Sequence, residues 1–209
     1  YGWWGKFLCS VGVRNQLQNS VVRIVGGYSE GSGFFIAPDQ IITNFHVIAD
    51  EPSPKIIFPD GKFATPTKIL GNKDADLALL FTEEHYPNLV LPLPDSTAFY
   101  ENEPLVSAGY PLGTDLTGKA TVMKGNFVDF RKSKKDPVGY IQTNISLVQG
   151  MSGGPLTDQC GKVVGINTMS LAGLSLFIIG ADAKVMIPNF TDQGIEKIEV
   201  DPSLSPEDA

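Results

Sequence analysis

Gly150-Met151-Ser152-Gly153-Gly154-Pro155 is the stretch whose reading decides the fold. Its serine has a glycine two residues before it and another two after, which suits a nucleophile on a tight turn where backbone approaches a substrate carbonyl closely. Glycine, serine and proline also cluster in ordinary turns between strands. The hexapeptide therefore acquires chemical meaning only if the chain also supplies a base. A serine hydroxyl is a poor nucleophile until a base takes its proton and a third group orients that base.

The sequence holds two histidines. His85 lies in Glu83-Glu84-His85-Tyr86-Pro87, a charged stretch that reads as a solvated loop. His46 follows an apolar run, Gly33 to Ala37, and the turn Pro38-Asp39-Gln40, within Thr43-Asn44-Phe45-His46-Val47, and is the better candidate base. Asp76, at the mouth of the apolar strand Leu77-Ala78-Leu79-Leu80-Phe81, is the candidate orienting carboxylate. Asp74 is its rival, in a polar loop where an aspartate more commonly shapes a turn.

Chain order separates the serine-hydrolase folds. Gly150-x-Ser152-x-Gly154 satisfies the nucleophile-elbow pattern, but an α/β-hydrolase places its histidine after the serine, and none follows Ser152. Subtilisin-like enzymes run Asp, His, Ser. The order here is His46, Asp76, Ser152, the chymotrypsin arrangement.

Together Thr43-Asn44-Phe45-His46-Val47, Asp76-Leu77-Ala78-Leu79-Leu80 and Gly150-Met151-Ser152-Gly153-Gly154-Pro155 resemble the trypsin-like, chymotrypsin-fold serine proteases, and most of all their bacterial HtrA/Deg branch. Supporting blocks are Gly31-Ser32-Gly33-Phe34-Phe35-Ile36, Ala108-Gly109-Tyr110-Pro111-Leu112-Gly113, Ile141-Gln142-Thr143-Asn144 and Gly161-Lys162-Val163-Val164-Gly165-Ile166-Asn167. They run in family order from about Ser20 to Ile187. The chain departs from the branch at Met151, where asparagine is usual, and at Leu176-Phe177, where a glycine is expected.

The resemblance implies an all-β fold of two six-stranded-type antiparallel β-barrels with the active site in the cleft between them. It implies a serine endopeptidase acting on protein or peptide substrates, without a cofactor. Gly150 and Ser152 would supply the oxyanion-hole amides, and Ser146 would sit at the base of the primary specificity pocket, where trypsin itself carries an aspartate. With Leu147, Leu176 and Phe177 nearby, an uncharged pocket predicts cleavage after small or medium aliphatic residues. Ser175 to Phe177 either pair with substrate backbone as an added strand or form an ordinary core strand. The branch also implies a homo-oligomer, an extracytoplasmic location in bacteria and a resting state with a misaligned triad, so a silent scaffold or peptide-binding module is the alternative reading.

Outward from these motifs the residues read as β-rich runs broken by turns. In the first barrel, residues 20–84, the runs are Ser20 to Gly26, Ser32 to Ala37, Gln40 to Thr43, Lys55 to Phe58, Phe63 to Leu70 and Leu77 to Phe81. Residues 85–103, rich in proline, asparagine and acids, read as the inter-barrel linker. In the second barrel, residues 104–190, they are Leu105 to Gly109, Lys119 to Phe130, Gly139 to Thr143, Pro155 to Thr157, Lys162 to Met169 and Leu174 to Gly180, with a short helix over Asp182 to Ile187. Arg131 to Asp136 reads as a solvated basic hairpin tip. Arg23-Ile24-Val25-Gly26-Gly27 copies the activation site of trypsin-type zymogens, but the aspartate that would pair with a freed isoleucine amine is replaced by Met151. An ammonium buried without its carboxylate is costly, so this segment reads as a strand.

At 209 residues, 42% hydrophobic and 19% charged, the chain is an ordinary globular sequence rather than a disordered one. A net charge of −7 argues against nucleic acid and anionic membrane as main partners. Cys9 and Cys160 permit one disulfide at most, and whether they meet is open. Two cysteines and two scattered histidines show no metal-ligand spacing. Residues 1–19 read as an N-terminal segment whose Trp3 and Trp4 either end a membrane anchor or dock on the barrel. Residues 191–209 read as an acidic tail or a linker to a further domain, and the start at Tyr1 suggests a piece of something longer.

Overall fold

A run such as Leu77-Ala78-Leu79-Leu80-Phe81 has no polar face, so it is stable as a strand only when covered on both sides. In the computed structural model it is such a strand, with Leu77 to Leu80 all buried. The structure describes residues 8–26, 29–49, 53–113, 118–171 and 174–194. The expectation for Trp3 and Trp4, and that for the 191–209 tail from residue 195 on, fall outside these residues, while Thr191–Asp192, expected in the tail, form a strand.

The first half of the chain forms β1 (Val21–Val25), β2 (Glu30–Ala37), β3 (Gln40–Thr43), β4 (Lys55–Ile57), β5 (Phe63–Ala64), β6 (Lys68–Asn72) and β7 (Leu77–Phe81). The second half forms β8 (Pro104–Gly109), β9 (Thr121–Arg131), β10 (Tyr140–Thr143), β11 (Pro155–Asp158), β12 (Val163–Leu171) and β13 (Leu174–Ile179), and β14 (Thr191–Asp192) follows. Strands β8 to β13 close into a six-stranded antiparallel barrel in the order β10-β13-β12-β11-β8-β9. The others make one eight-stranded antiparallel sheet, β14-β6-β7-β3-β2-β1-β4-β5, so the chain returns to the first sheet at its far end. Fold class is therefore all-β, as the strand pattern and the resemblance imply.

Local chemistry explains the departures from the expected strands. Phe63 to Leu70 is not one strand but β5 and β6, because Pro66 between them has no amide to donate to a ladder. Ile24 lies mid-strand, fully buried and paired with Gly31 and Ile56, as an ordinary member of β1. Within the N-terminal segment, Val13–Ser20 form helix α1, which takes Ser20 from the strand expected over Ser20 to Gly26, so that β1 begins at Val21. Its one buried face, Val13, Leu17 and Ser20, is spaced at i, i+4 and i+7, and Val13 and Leu17 pack with Val21, Leu77, Val106 and Tyr110 between the two sheets. Just ahead of this helix, Cys9 forms a disulfide with Cys160 in the turn between β11 and β12. Two further helices are short: α2 (Phe45–Ile48), a single turn that carries His46, and α3 (Gly180–Met186), two residues earlier than the helix expected over Asp182 to Ile187.

Candidate active site

The loop around Ser152 folds as it does because glycine stands where a side chain has no room. Gly153 has a φ of 90°, and a Cβ there would collide with the Ser32 carbonyl. The loop is then held by hydrogen bonds to its carbonyls from four directions. Leu112 N donates to Gln149 O at 2.7 Å, Ser32 Oγ to Gly150 O at 3.0 Å, Asn167 Nδ2 to Met151 O at 2.9 Å and Ser32 N to Ser152 O at 2.7 Å. With the carbonyls engaged in this way, the amides of Gly150 and Ser152 have no partner among the described residues. Met151, the residue that replaces asparagine, is fully buried, its backbone and Cβ closing on Gly109.

His46 and Asp76 come from two different turns of the first sheet. Asn44 precedes α2 in extended conformation, and its amide Nδ2 donates to the Asp76 carbonyl at 3.0 Å. Asp76 ends the turn before β7 in the left-handed region, φ 54°, which aspartate tolerates better than most residues. Its carboxylate accepts from His46 Nδ1 at 2.8 and 3.0 Å, from His46 N at 2.9 Å and from Thr168 Oγ1 at 2.9 Å. Since a carboxylate only accepts, Nδ1 carries the proton and Nε2 is left as the basic nitrogen. The ring is 40% exposed, open to an incoming group.

Ser152 itself is turned aside. Its Oγ donates to the Thr168 carbonyl at 3.0 Å, and no hydrogen bond joins it to His46. Thr168 thus touches both ends of the constellation, its hydroxyl on Asp76 and its carbonyl on Ser152. A register shift in β12 between Asn167 and Met169 leaves Thr168 out of the ladder with β13, so it can turn toward the cleft. His85, the other histidine, makes no contact with this cluster; the loop around it carries the Tyr86–Glu84 hydrogen bond.

The expected specificity residues divide. Ser146 is exposed and Leu147 half-buried beside it, while Ser175 Oγ donates to Ile145 O at 2.5 Å and braces that segment. Leu176 is 9% exposed, and Phe177 is fully buried in the second barrel's core with Ile141 and Ile145, so Phe177 does not line an accessible pocket. Strand addition along Ser175 to Phe177 has no free edge, because β13 is paired with β10 on one side and β12 on the other. Ser32, Asn44, Asn167 and Thr168 were not singled out from the sequence. Ser32 lies within Gly31-Ser32-Gly33, and Thr168 directly follows Gly161 to Asn167, so the one signal they carry in the sequence is their place in or beside a motif. Among the described residues no cluster of three or more histidine, cysteine or acidic side chains is placed to hold a metal.

A closed six-stranded barrel beside a second antiparallel sheet, with a histidine held on a carboxylate and a glycine-flanked serine both reached by Thr168, is a peptidase-type architecture. Residues 31–166 match the trypsin-like peptidase domain, and the chain belongs to that family. It is similar to the mitochondrial serine protease HTRA2 of Bos taurus, 33% identical over 161 residues, which cover 74% of this chain and 34% of that protein. It is also similar to the serine protease Do-like HtrA of Bacillus subtilis, 31% identical over 178 residues, covering 78% of this chain and 40% of that one. The chain thus spans well under half the length of these relatives. Among solved structures, Deg5 superposes with a TM-score of 0.69 at 27% identity, covering 86% of this chain and 92% of that one. The serine endoprotease from Yersinia pestis superposes with a TM-score of 0.72 at 24% identity, covering 86% and 65%, and shares the fold.

Proposed function

We propose that this chain is a serine endopeptidase domain that cleaves protein or peptide substrates with a Ser152, His46, Asp76 triad through an acyl-enzyme. The observation that carries this reading is the Asp76 carboxylate, which takes both the Nδ1 and the backbone amide of His46 and so presents Nε2 as base. Ser152 Oγ attacks the scissile carbonyl carbon while Nε2 accepts its proton, and the resulting oxyanion is met by the amides of Gly150 and Ser152. The imidazolium then protonates the leaving amine, and a water molecule, deprotonated by the same nitrogen, releases the acyl group and restores the serine. An uncharged Ser146 beside Leu147 favours small or medium aliphatic residues on the acyl side of the cut.

One observation favours a resting state: the serine hydroxyl rests on the Thr168 carbonyl rather than on the imidazole. Catalysis then requires rotation about χ1 of Ser152, and a domain locked in this rotamer would serve only to bind peptides. The Cys9–Cys160 disulfide supports an oxidising, extracytoplasmic compartment, in line with relatives named as periplasmic DegP-like endoproteases. Assembly into a homo-oligomer and attachment to an anchor or further domain belong to the same reading.

A fluorophosphonate tests the reading directly. The reagent is expected to add its phosphonyl mass to Ser152 with loss of fluoride, and Ser152→Ala is expected to lose labelling and peptide hydrolysis while unfolding at nearly the wild-type temperature. Hydrolysis surviving in Ser152→Ala would remove the assignment.

A further inference from the structure

The amides of Gly150 and Ser152 belong to two rigid peptide planes separated by a third. A trans peptide group is planar and turns as one body, so a bond to its oxygen also fixes the direction of its N–H. The plane bearing the Gly150 amide is held through Gln149 O by Leu112 N at 2.7 Å. The plane bearing the Ser152 amide is held through Met151 O by Asn167 Nδ2 at 2.9 Å. Between them, the Gly150–Met151 plane is held through Gly150 O by Ser32 Oγ at 3.0 Å.

Gly150 is the joint of this chain of planes. It lies at φ 95°, without a Cβ to limit rotation, so its dihedrals are set by what holds the planes on either side. Ser32 is well suited to hold one of them. It is fully buried, and its Oγ accepts the Tyr110 amide at 2.8 Å, which leaves the hydroxyl hydrogen for Gly150 O. Its own amide donates to Ser152 O at 2.7 Å, and its carbonyl accepts from Thr43 Oγ1 at 2.8 Å. Leu112 and Asn167 belong to the second half of the chain. Ser32 comes from β2, so through this residue the first sheet reaches into the oxyanion loop.

We propose that Ser32 is a positioning residue for oxyanion binding, its hydroxyl acting through the Gly150 carbonyl to aim the Gly150 and Ser152 amides at the reacting oxygen. The inference rests on the endopeptidase reading and adds a residue that touches no substrate. A buried serine can also serve stability alone, and the molecule contains a matched example. Ser107 is equally buried and donates to Pro155 O at 3.0 Å, three residues past Ser152 and to none of the carbonyls of residues 149–152.

The test compares Ser32→Ala and Ser107→Ala in the full chain, using one peptide substrate and a peptide boronic acid whose tetrahedral serine adduct places an oxygen in the oxyanion site. Fluorophosphonate labelling of Ser152 in the wild type is measured first; its absence would overturn the endopeptidase reading and this inference with it. With labelling present, Ser32→Ala is expected to lower kcat by about 10- to 100-fold, short of the roughly 10²–10³ for outright loss of an oxyanion donor. KM should stay within about twofold, and boronate affinity should fall in proportion to kcat. Ser107→Ala should lose similar thermal stability without a change in kcat. If Ser32→Ala folds poorly, Ser32→Cys, which keeps a weak donor, is measured instead and should lower kcat and boronate affinity together by up to about 10-fold with KM unchanged, and a kcat equal to that of Ser107→Ala would overturn the proposal. An effect on KM alone, or a kcat loss equal in the Ser32 and Ser107 variants, would overturn the proposal.

Discussion

Asp76 combines two demands that few side chains meet together. Its backbone occupies the left-handed region at φ 54°, and its carboxylate accepts two donors from His46 and one from Thr168. Asparagine tolerates that backbone and has the same shape, so Asp76→Asn should fold. Its amide group, however, turns a donor toward the His46 N–H groups or accepts only on one side, and the imidazole then settles with the proton on the wrong nitrogen. On the proposed triad, kcat is expected to drop by about 10⁴-fold, as it does for the chymotrypsin-fold triad. Steady-state kinetics beside a melting curve check it. The same residue marks what the sequence discloses: a scarce histidine and an acid at a strand mouth announce themselves by type and place. Ser32 and Thr168 do not: Ser32 bonds the backbone carbonyl of the distant Gly150, Thr168 bonds the Asp76 carboxylate through its hydroxyl and Ser152 through its carbonyl, and nothing in the type of either residue foretells those partners.

At the level of elements, Tyr110 at the exit of β8 ties the two halves together. Its hydroxyl donates to Gly118 O at 3.2 Å and lies 3.4 Å from Val21 O on β1, while the buried Arg23 guanidinium sits 5.0 Å from the centre of its ring. Burial pushes this phenol up to about 12, against a smaller opposing pull from Arg23. The unfolded chain releases the proton near 10, so the contribution of the neutral phenol to stability is complete below pH 10 and is lost as pH rises toward 12. Tyr110→Phe should be about 1 kcal/mol less stable near neutrality for want of its hydrogen bond, yet lose less stability than the wild type between pH 10 and 12. Urea unfolding at both ends of that range measures the difference. Strand positions were largely legible because apolar runs and turn residues alternate along the chain. Which face of β13 points inward was not: Leu176 and Phe177 are both apolar, and only packing places Phe177 in the barrel core.

For the molecule as a whole, the Cys9–Cys160 link closes a loop of 151 residues in sequence separation, and so constrains the unfolded chain far more than the folded one. Replacing both cysteines by serine is expected to lower stability by about 2–5 kcal/mol and to loosen α1 before either sheet, which hydrogen exchange at Val13 to Ser20 would detect. No spacing rule pairs two cysteines so far apart, and α1, with a single narrow apolar face, has no periodicity strong enough to stand out beside the strands.

The return of the chain to β6 has an effect beyond local packing. A ring of six strands exposes no hydrogen-bonding rim, and among the described residues the other sheet ends in β5 and β14, each two residues long. Such short borders give a neighbouring molecule little backbone to template on. Protection of this edge from self-association therefore rests on Thr191 and Asp192 staying beside Gly71 and Leu70, because their departure would bare the middle of β6.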